Sequence, residues 1–590
     1  MLDKICTHCK IVFQITDKDI EFYEKVSPSF DWRKYNISTP NLCPECRQQR
    51  RLSFRNERKL YKRKCDYSWK EIISTYSPDK KNKVYDQDIW WSDKWEALDY
   101  WIDFDFNKTF FEPFNDLIQD SPRKHINQKK ENTNSIYSNI ITWVKNSYLS
   151  FAGAYSENIY YTNWFGYNKN CIDSSYIVNS ENCYECLDLD RCYNCKYTLN
   201  SSNCNDSIFL YNCKNCSYCL LSANLYWKKY YINNKKFTRE DYKKIIDKLT
   251  QYAFLKDYIE SFNLLLNKVV RKNLDNNWSD RSIWNKVINS KNVLNWFDVY
   301  NVNFARNIFD WWWWESLMDF YEFFDDCSNS YEWQEMWKSY KAICCSYCYL
   351  VNNISYCLDC YNCSNLFWCV WLRNKSYCIL NKQYTKEEYN KLVPKIIEHM
   401  QKTWERWESF PSSLSPFWYN ETVAEEYFPM TREEVINDTV ISSEWNESRD
   451  LKKETSPLHS KWHTFLHWKV FNWSDYEAPK PKVDKIIPAN KLPEDIKDIP
   501  DDILNRAIEC EVTKKPFRII PGELEFYRKH NLPIPRRHPD RRHLDRMKLR
   551  NPRKLFDRKC DKCKKDIKTT YSPERLEIVY CEECYNNEVY

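Results

Sequence analysis

The sequence predicts an α+β, multi-domain fold, with small four-cysteine modules at both ends and Cys-rich β-solenoid-like repeats with helical inserts in the middle. Three observations carry this reading: paired Cys-x2-Cys steps near each end, a regular cysteine array inside, and duplication of both. The chain has 590 residues, enough for several domains.

The terminal modules come first. Cys6-x2-Cys9-x33-Cys43-x2-Cys46 and Cys560-x2-Cys563-x17-Cys581-x2-Cys584 each offer four thiolates in two knuckles. The second falls within zinc-ribbon spacing, and four thiolates close a tetrahedral shell around Zn²⁺ with no open position. Two structural zinc sites are therefore expected, with further metal at central cysteines left open. No secretory leader core is read at the start, so reduced cysteines and a cytoplasmic chain are expected.

The two ends duplicate each other. Phe13 to Tyr23 matches Phe517 to Tyr527, and Lys64 to Pro78 matches Lys559 to Pro573 without a gap. In the last copy the first quartet has become Cys510, Thr513, His538 and Arg541. In the first copy the second quartet has become Cys65, Ser68, Asp86 and Ile89. Each copy of an ancestral two-site module has lost a different site.

The interior is duplicated too: Leu225 to Tyr242 aligns with Leu372 to Tyr389. In each, Thr opens a capping box, Thr238 with Asp241 and Thr385 with Glu388, and predicts a helix. Ile245, Leu249, Tyr252, Leu255, Ile259 and Phe262 continue at helical spacing. Before the first helix, cysteine units begin at Cys171, Cys183, Cys192, Cys204, Cys213 and Leu225. The steps alternate 12 and 9, so a 21-residue β-solenoid turn is expected. The implied order is a zinc-ribbon module (1–120), a first array (145–236), a helical segment (237–275) and a second array (276–384). A helix (385–409), a linker with short helices (410–504) and the second zinc-ribbon module (505–590) follow.

The central cysteines have three readings. Cys213-x2-Cys216-x2-Cys219 and Cys357-x2-Cys360-x2-Cys363 resemble the start of an iron–sulfur run, but positions 223 and 367 hold Ala and Phe where the fourth ligand would stand. The others are zinc between stacked turns, and inward thiols packing as small apolar residues. His459, His463 and His467 share a helical face, a further metal candidate. No nucleophile–base pair is recognisable, and the chain reads as more scaffold than enzyme.

Net charge is +6, but residues 47–64 hold nine basic and one acidic residue and residues 536–559 eleven and three. Arg47, Arg50, Arg51, Arg55 and Arg58, with Arg541, Arg542, Arg546 and Arg550, are the candidate nucleic-acid ligands, because Lys and Arg neutralise phosphates. The alternatives are a solvated basic helix, or one docked on the acidic remainder of the chain. The leading function is a zinc-binding protein of binding or scaffolding role with nucleic acid as partner. Its rivals are a structural or protein-interaction scaffold, and a redox or metalloenzyme using the central cysteines. No apolar run is long enough to span a bilayer, so no membrane partner is expected.

Glycine occurs 3 times and tryptophan 27 times. About 40 glycines would be ordinary at this length. Tryptophan stands in turn settings, at Trp69 one residue past a knuckle, at Trp418, and four in a row at Trp311 to Trp314. The pattern is that of a gene whose UGA codons mean glycine but are read as tryptophan; the alternative is real enrichment of tryptophan at binding surfaces. Trp90, Trp91, Trp95 and Trp473 are read as genuine indoles, and Trp462 and Trp468 as suspects.

Cys43-Pro-Glu-Cys-Arg-Gln-Gln-Arg-Arg51, Ile73 to Asp79, Trp90-Trp-Ser-Asp-Lys-Trp95, Asn381-Lys-Gln-Tyr384 and Val579 to Tyr585 carry a likeness. The chain resembles large Cys-rich zinc-ribbon proteins of small-genome, uncultivated bacteria. That resemblance implies zinc binding and no particular reaction. It also implies glycine at Trp69, Trp101, Trp368, Trp371 and Trp418.

Overall fold

The computed structural model describes residues 2–30, 33–129, 131–246, 252–276, 337–403, 409–437, 471–476 and 485–589, together with short strands between 287 and 328. His459, His463, His467, Trp313, Trp314, Trp462 and Trp468 lie outside the described residues. The chain divides into two compact units, Met1–His125 with Leu274–Tyr476, and Ile126–Asn273 with Glu477–Tyr590. Each unit joins one terminal module to one solenoid, and the pairing is crossed: the N-terminal module belongs with the second array, the C-terminal module with the first.

The first solenoid is a parallel stack. Asn139, Phe151, Asn163, Ser175, Leu187, Leu199, Tyr211 and Ala223 lie rung above rung. The coil is therefore 12 residues, which corrects the 21-residue turn expected from the spacing. Every third residue from Ile140 to Asn233 has positive φ, so each coil has four corners. The 9-residue steps span three of those corners. They carry the unit starts from the column of Cys171, Cys183, Cys195 and Cys219 to the neighbouring column of Cys192, Cys204 and Cys216, and from there to that of Cys213 and Leu225.

The residue after each corner points into the bore, which explains the triplet rhythm of Cys, Ser, Thr, Ile and Leu. The left-handed corners cost about 1–2 kcal/mol each for ordinary residues and least for Asn and Asp. Asn fills many of them and gains a second bond. The Asn146 amide donates to Asn158 (3.0 Å), Asn158 to Asn170 (2.8 Å) and Asn170 to Asn182 (3.2 Å). Gly153 faces inward above Phe165, where a Cβ would stand 2.3 Å from the ring.

Inward thiols and hydroxyls make the same bonds. Ser150 Oγ donates to the carbonyls of Tyr148 (3.2 Å) and Ile159 (3.0 Å). Cys186 Sγ donates to Tyr184 (3.3 Å) and Cys195 (3.4 Å), and Cys204 to Ser202 and Cys213 (3.4 Å each). These thiols are thus satisfied inside the coil, and burial pushes Cys363 and Cys378 up to about 12.

The second solenoid repeats the 12-residue register: Tyr340, Asn352, Ser364 and Ser376 stack, and the strands between 287 and 318 pair at the same offset. Both arrays end on one device. After the last coil a hairpin turns through two positive-φ residues, Asn233-Asn234 and Leu380-Asn381. The second Asn then acts as a peptide surrogate. Asn234 accepts from the Ala223 amide and donates to its carbonyl (2.9 Å each), and Asn381 does so at Val370 (2.9 and 3.0 Å). Helices follow at Arg239–Ile246 and Lys386–Lys402, the latter with the expected Thr385–Glu388 capping box.

In the unit holding the N-terminal module, the module and solenoid share one core. Phe110 stacks on Trp368 at 3.8 Å, Arg373 donates to the Trp90 carbonyl (2.7 Å), and Lys124 pairs with Asp359 (2.8 Å). Phe410, Leu414, Tyr419 and Val423, in the segment read as linker, are buried here, and Glu421 pairs with buried Lys80. In the other unit Leu492, Ile496, Ile499 and Ile503 of that segment are buried beside Tyr161, Ile172 and Tyr184 of the first solenoid. The strand Val270–Lys272 pairs in parallel with Ile578–Tyr580 of the C-terminal module. In the N-terminal module the matching strand is local, Arg123–Lys124 against Val84–Tyr85.

Candidate metal centres

All four knuckles fold alike. In each, the amide of the first Cys bonds the carbonyl five residues on, and the amide four residues on returns to that Cys: Cys6 with Ile11 and Lys10, Cys65 with Lys70 and Trp69, Cys510 with Lys515 and Lys514, Cys560 with Lys565 and Lys564. The returning residue has positive φ in every case, 61° at Lys10, 59° at Trp69, 57° at Lys514 and 63° at Lys564. The second pair of each quartet stands at a helix N-terminus. Cys43 caps the helix Pro44–Leu52, and Cys581 precedes the helix Glu582–Val589. Such a position favours thiolate over thiol.

The structure closes two quartets. The sulfurs of Cys6, Cys9, Cys43 and Cys46 all lie within 4.8 Å of one another, as do those of Cys560, Cys563, Cys581 and Cys584. Backbone amides point at them: Cys43 N to Cys6 Sγ and Cys581 N to Cys560 Sγ, both 3.2 Å. Burial alone would raise the Cys560 thiol, but the amides of Cys563, Cys581 and Lys562 outweigh it and hold it at about 6. The neighbouring Cys581 holds Cys584 up to about 12. His8 Nδ1 lies 3.4 Å from Cys46 Sγ and adds a hydrogen bond to the first quartet. Both groups could hold a metal ion.

The two lost sites keep the fold by other bonds. Ser68 Oγ donates to Asp86 (2.5 Å), whose amide reaches Cys65 Sγ (3.2 Å). Asp86 also caps its helix, as Cys43 does in the intact site. In the C-terminal module the Thr513 amide bonds Cys510 Sγ (3.4 Å), and His538 caps the helix Pro539–Met547.

The arginines divide. Arg47, Arg51, Arg55, Arg542 and Arg546 are buried, and Arg50, Arg58, Arg541 and Arg550 are half-buried. Arg542 and Arg546 both bond Asp173 of the first solenoid, and Arg546 also bonds Glu185 (3.0 Å). Arg550 stacks on Tyr176 (3.5 Å). The helix Pro539–Met547 therefore directs much of its charge onto the chain's own acidic residues. Exposed charge sits elsewhere, on Lys554, Lys559, Lys564 and Lys565 beside the Cys560 quartet. Charge density along the sequence does not separate these sets, because burial does.

Of the glycine suspects, Trp69, Trp368 and Trp371 have positive φ. Trp101 and Trp418 do not, with φ of −59° and −78°. Trp69 is 73% exposed. Trp368 is buried and its indole nitrogen has no partner. Trp95 donates to the Trp90 carbonyl (3.0 Å) and packs on its ring, as genuine indoles do.

Comparison with known proteins adds no relative: no family model, curated protein or solved structure matches the chain. Fold and site together define a Cys-rich β-solenoid protein with two four-cysteine groups able to hold metal. Among the described residues no helix is long and apolar enough to cross a membrane.

Proposed function

We propose that the chain is a zinc-dependent scaffold whose C-terminal knuckle presents lysines to the phosphates of a nucleic acid. Zinc is the metal of choice because the donor set is four thiolates with no open position, the pattern of a structural rather than a catalytic site. The observation that carries the partner is the exposed set Lys554, Lys559, Lys564 and Lys565. All four lie on or beside the hairpin Phe556–Lys559/Asp566–Thr569, and none pairs with a carboxylate among the described residues. Single-stranded RNA retention measured against salt tests it. Replacing the four lysines by alanine is expected to reduce the slope of log affinity on log salt by about 0.7 for each phosphate no longer neutralised. An unchanged slope, or no retention of RNA or DNA at low salt, would favour a protein-interaction scaffold.

The recoding of tryptophan belongs to the same proposal, since it decides which protein is to be made. Position 69 needs a left-handed residue at a knuckle turn and is exposed, so Trp69→Gly is expected to stabilise by about 1 kcal/mol. Trp95→Gly is expected to destabilise by about 3–5 kcal/mol through loss of a buried ring. Urea denaturation compares them. A UGG codon at position 69 would end the idea for that residue.

A further inference from the structure

The second solenoid holds a thiol arrangement unlike the rest of the bore. Cys345 and Cys348 stand on adjoining sides of one coil, and Cys357 and Cys360 stand directly above them, 12 residues on. The four sulfurs close a ring. Cys345 neighbours Cys348 and Cys357, Cys360 neighbours the same two, and Cys369 adjoins the ring at Cys357. All four are buried, and the Cys357 amide points at Cys345 Sγ (3.4 Å). In the first solenoid the described thiols form open chains instead, running through Cys192, Cys204 and Cys216 or through Cys171, Cys183 and Cys186.

Hydrogen bonding does not require sulfur here. Cys348 donates to the carbonyls of Ser346 and Cys357 (3.4 Å each), the bonds that Ser150 makes with oxygen in the first bore. Something other than coil closure therefore accounts for four adjacent sulfurs. The geometry points to a third metal site, Cys345, Cys348, Cys357 and Cys360, that takes a soft monovalent cation, Cu(I).

The choice of ion follows from shape and charge. A tetrahedral divalent ion needs all six sulfur separations short, as in the terminal quartets. The ring is absent from the groups with every sulfur within 4.8 Å, so its four sulfurs do not form the compact set of the terminal quartets. Cu(I) accepts two or three soft ligands and can sit on a side of the ring. Charge favours it as well. Two thiolates around one Cu(I) leave a net −1 in a dry bore lined by Ala342, Val351, Ile354 and Leu366, whereas four around a divalent ion leave −2. Binding displaces two thiol protons to solvent. The other two thiols stay protonated and keep their carbonyl bonds, and no electron is transferred.

The test uses the full chain expressed anaerobically with copper in the medium. Wild type is expected to carry one copper per chain beyond its two terminal metals, with sulfur-only ligation by X-ray absorption. Cys348→Ser/Cys357→Ser breaks every side of the ring, and the contact with Cys369, while keeping the hydrogen bonds, so copper is expected to fall at least tenfold with the terminal metals retained. Cys213→Ser/Cys219→Ser in the first solenoid is expected to keep the copper. Should the Cys348→Ser/Cys357→Ser variant fail to fold, Cys345→Ser/Cys360→Ser/Cys369→Ser, which also leaves no two of these sulfurs adjacent, is read in the same way. Wild type free of copper, or copper undiminished in the ring variants, would overturn the assignment.

Discussion

Replacing Cys560 and Cys563 by serine is expected to release one metal ion per chain and unfold the C-terminal knuckle. A structural zinc site contributes about 10–16 kcal/mol of apparent binding free energy, comparable with the whole stability of a typical domain. Little else holds this module: its buried cluster is Cys560, Ile567, Tyr571, Val579 and Cys581, two of them ligands. The effect should spread to the strand Val270–Lys272, which pairs with Ile578–Tyr580. Metal analysis and limited trypsin digestion would read it, with new cleavage expected at Arg558 and Lys559. The lost site supplies the control. Cys65→Ser should release no metal, because Ser68, Asp86 and the Asp86 amide already close that knuckle by hydrogen bonds. Metal retained after the double substitution would show that Cys560 and Cys563 are not ligands.

The contrast between these knuckles shows what the sequence makes legible. Metal-ligand spacing is local, so Cys560 to Cys584 could be read directly, and the duplication identified which partners had been lost. The capping boxes at Thr238 and Thr385 are equally local. The coil length was not legible from the cysteines, because serine, leucine and isoleucine share their inward columns; following only Cys mixed three columns and gave 21 in place of 12. The triplet of corners was hidden for a similar reason. Left-handed residues here are Asn and Asp but also Tyr, Leu and Phe, which carry no turn signal. Nor does the order of segments reveal that each terminal module joins the distant array. That choice rests on tertiary partners such as Asp173, which nothing nearby in the sequence marks as the counterpart of Arg542.

That pair is the basis of the second large effect. Arg542→Ala is expected to destabilise the unit containing the first solenoid by about 3–5 kcal/mol, because it leaves a buried carboxylate short of a partner. Asp173 is fully buried and is bonded by both Arg542 and Arg546; Arg542 also faces Glu523 (3.6 Å), the Tyr527 hydroxyl (3.5 Å) and the Tyr161 ring (4.6 Å). Urea denaturation would measure the loss, and Arg542→Met with Asp173→Asn should recover part of it by removing both charges. The cluster also sets a pH dependence. Two guanidinium groups face three carboxylates, Asp173, Glu185 and Glu523, so one negative charge is in excess. Burial, opposed only in part by the arginines, pushes Glu185 and Glu523 up to about 7. A carboxyl raised in the folded state binds its proton more tightly there than in the unfolded chain, so its contribution is full below about 4.5 and is lost as pH rises through 7. Stability of this unit should therefore fall from about pH 4.5 to about 7, the interval between the unfolded and folded values of these carboxyls. Glu523→Gln should flatten that fall, since an amide cannot ionise, and its one oxygen still accepts from one of the two hydroxyls that Glu523 binds, Tyr161 (3.0 Å) or Tyr527 (2.8 Å). A stability rising with pH over this range would mean that the arginines, not burial, govern the cluster.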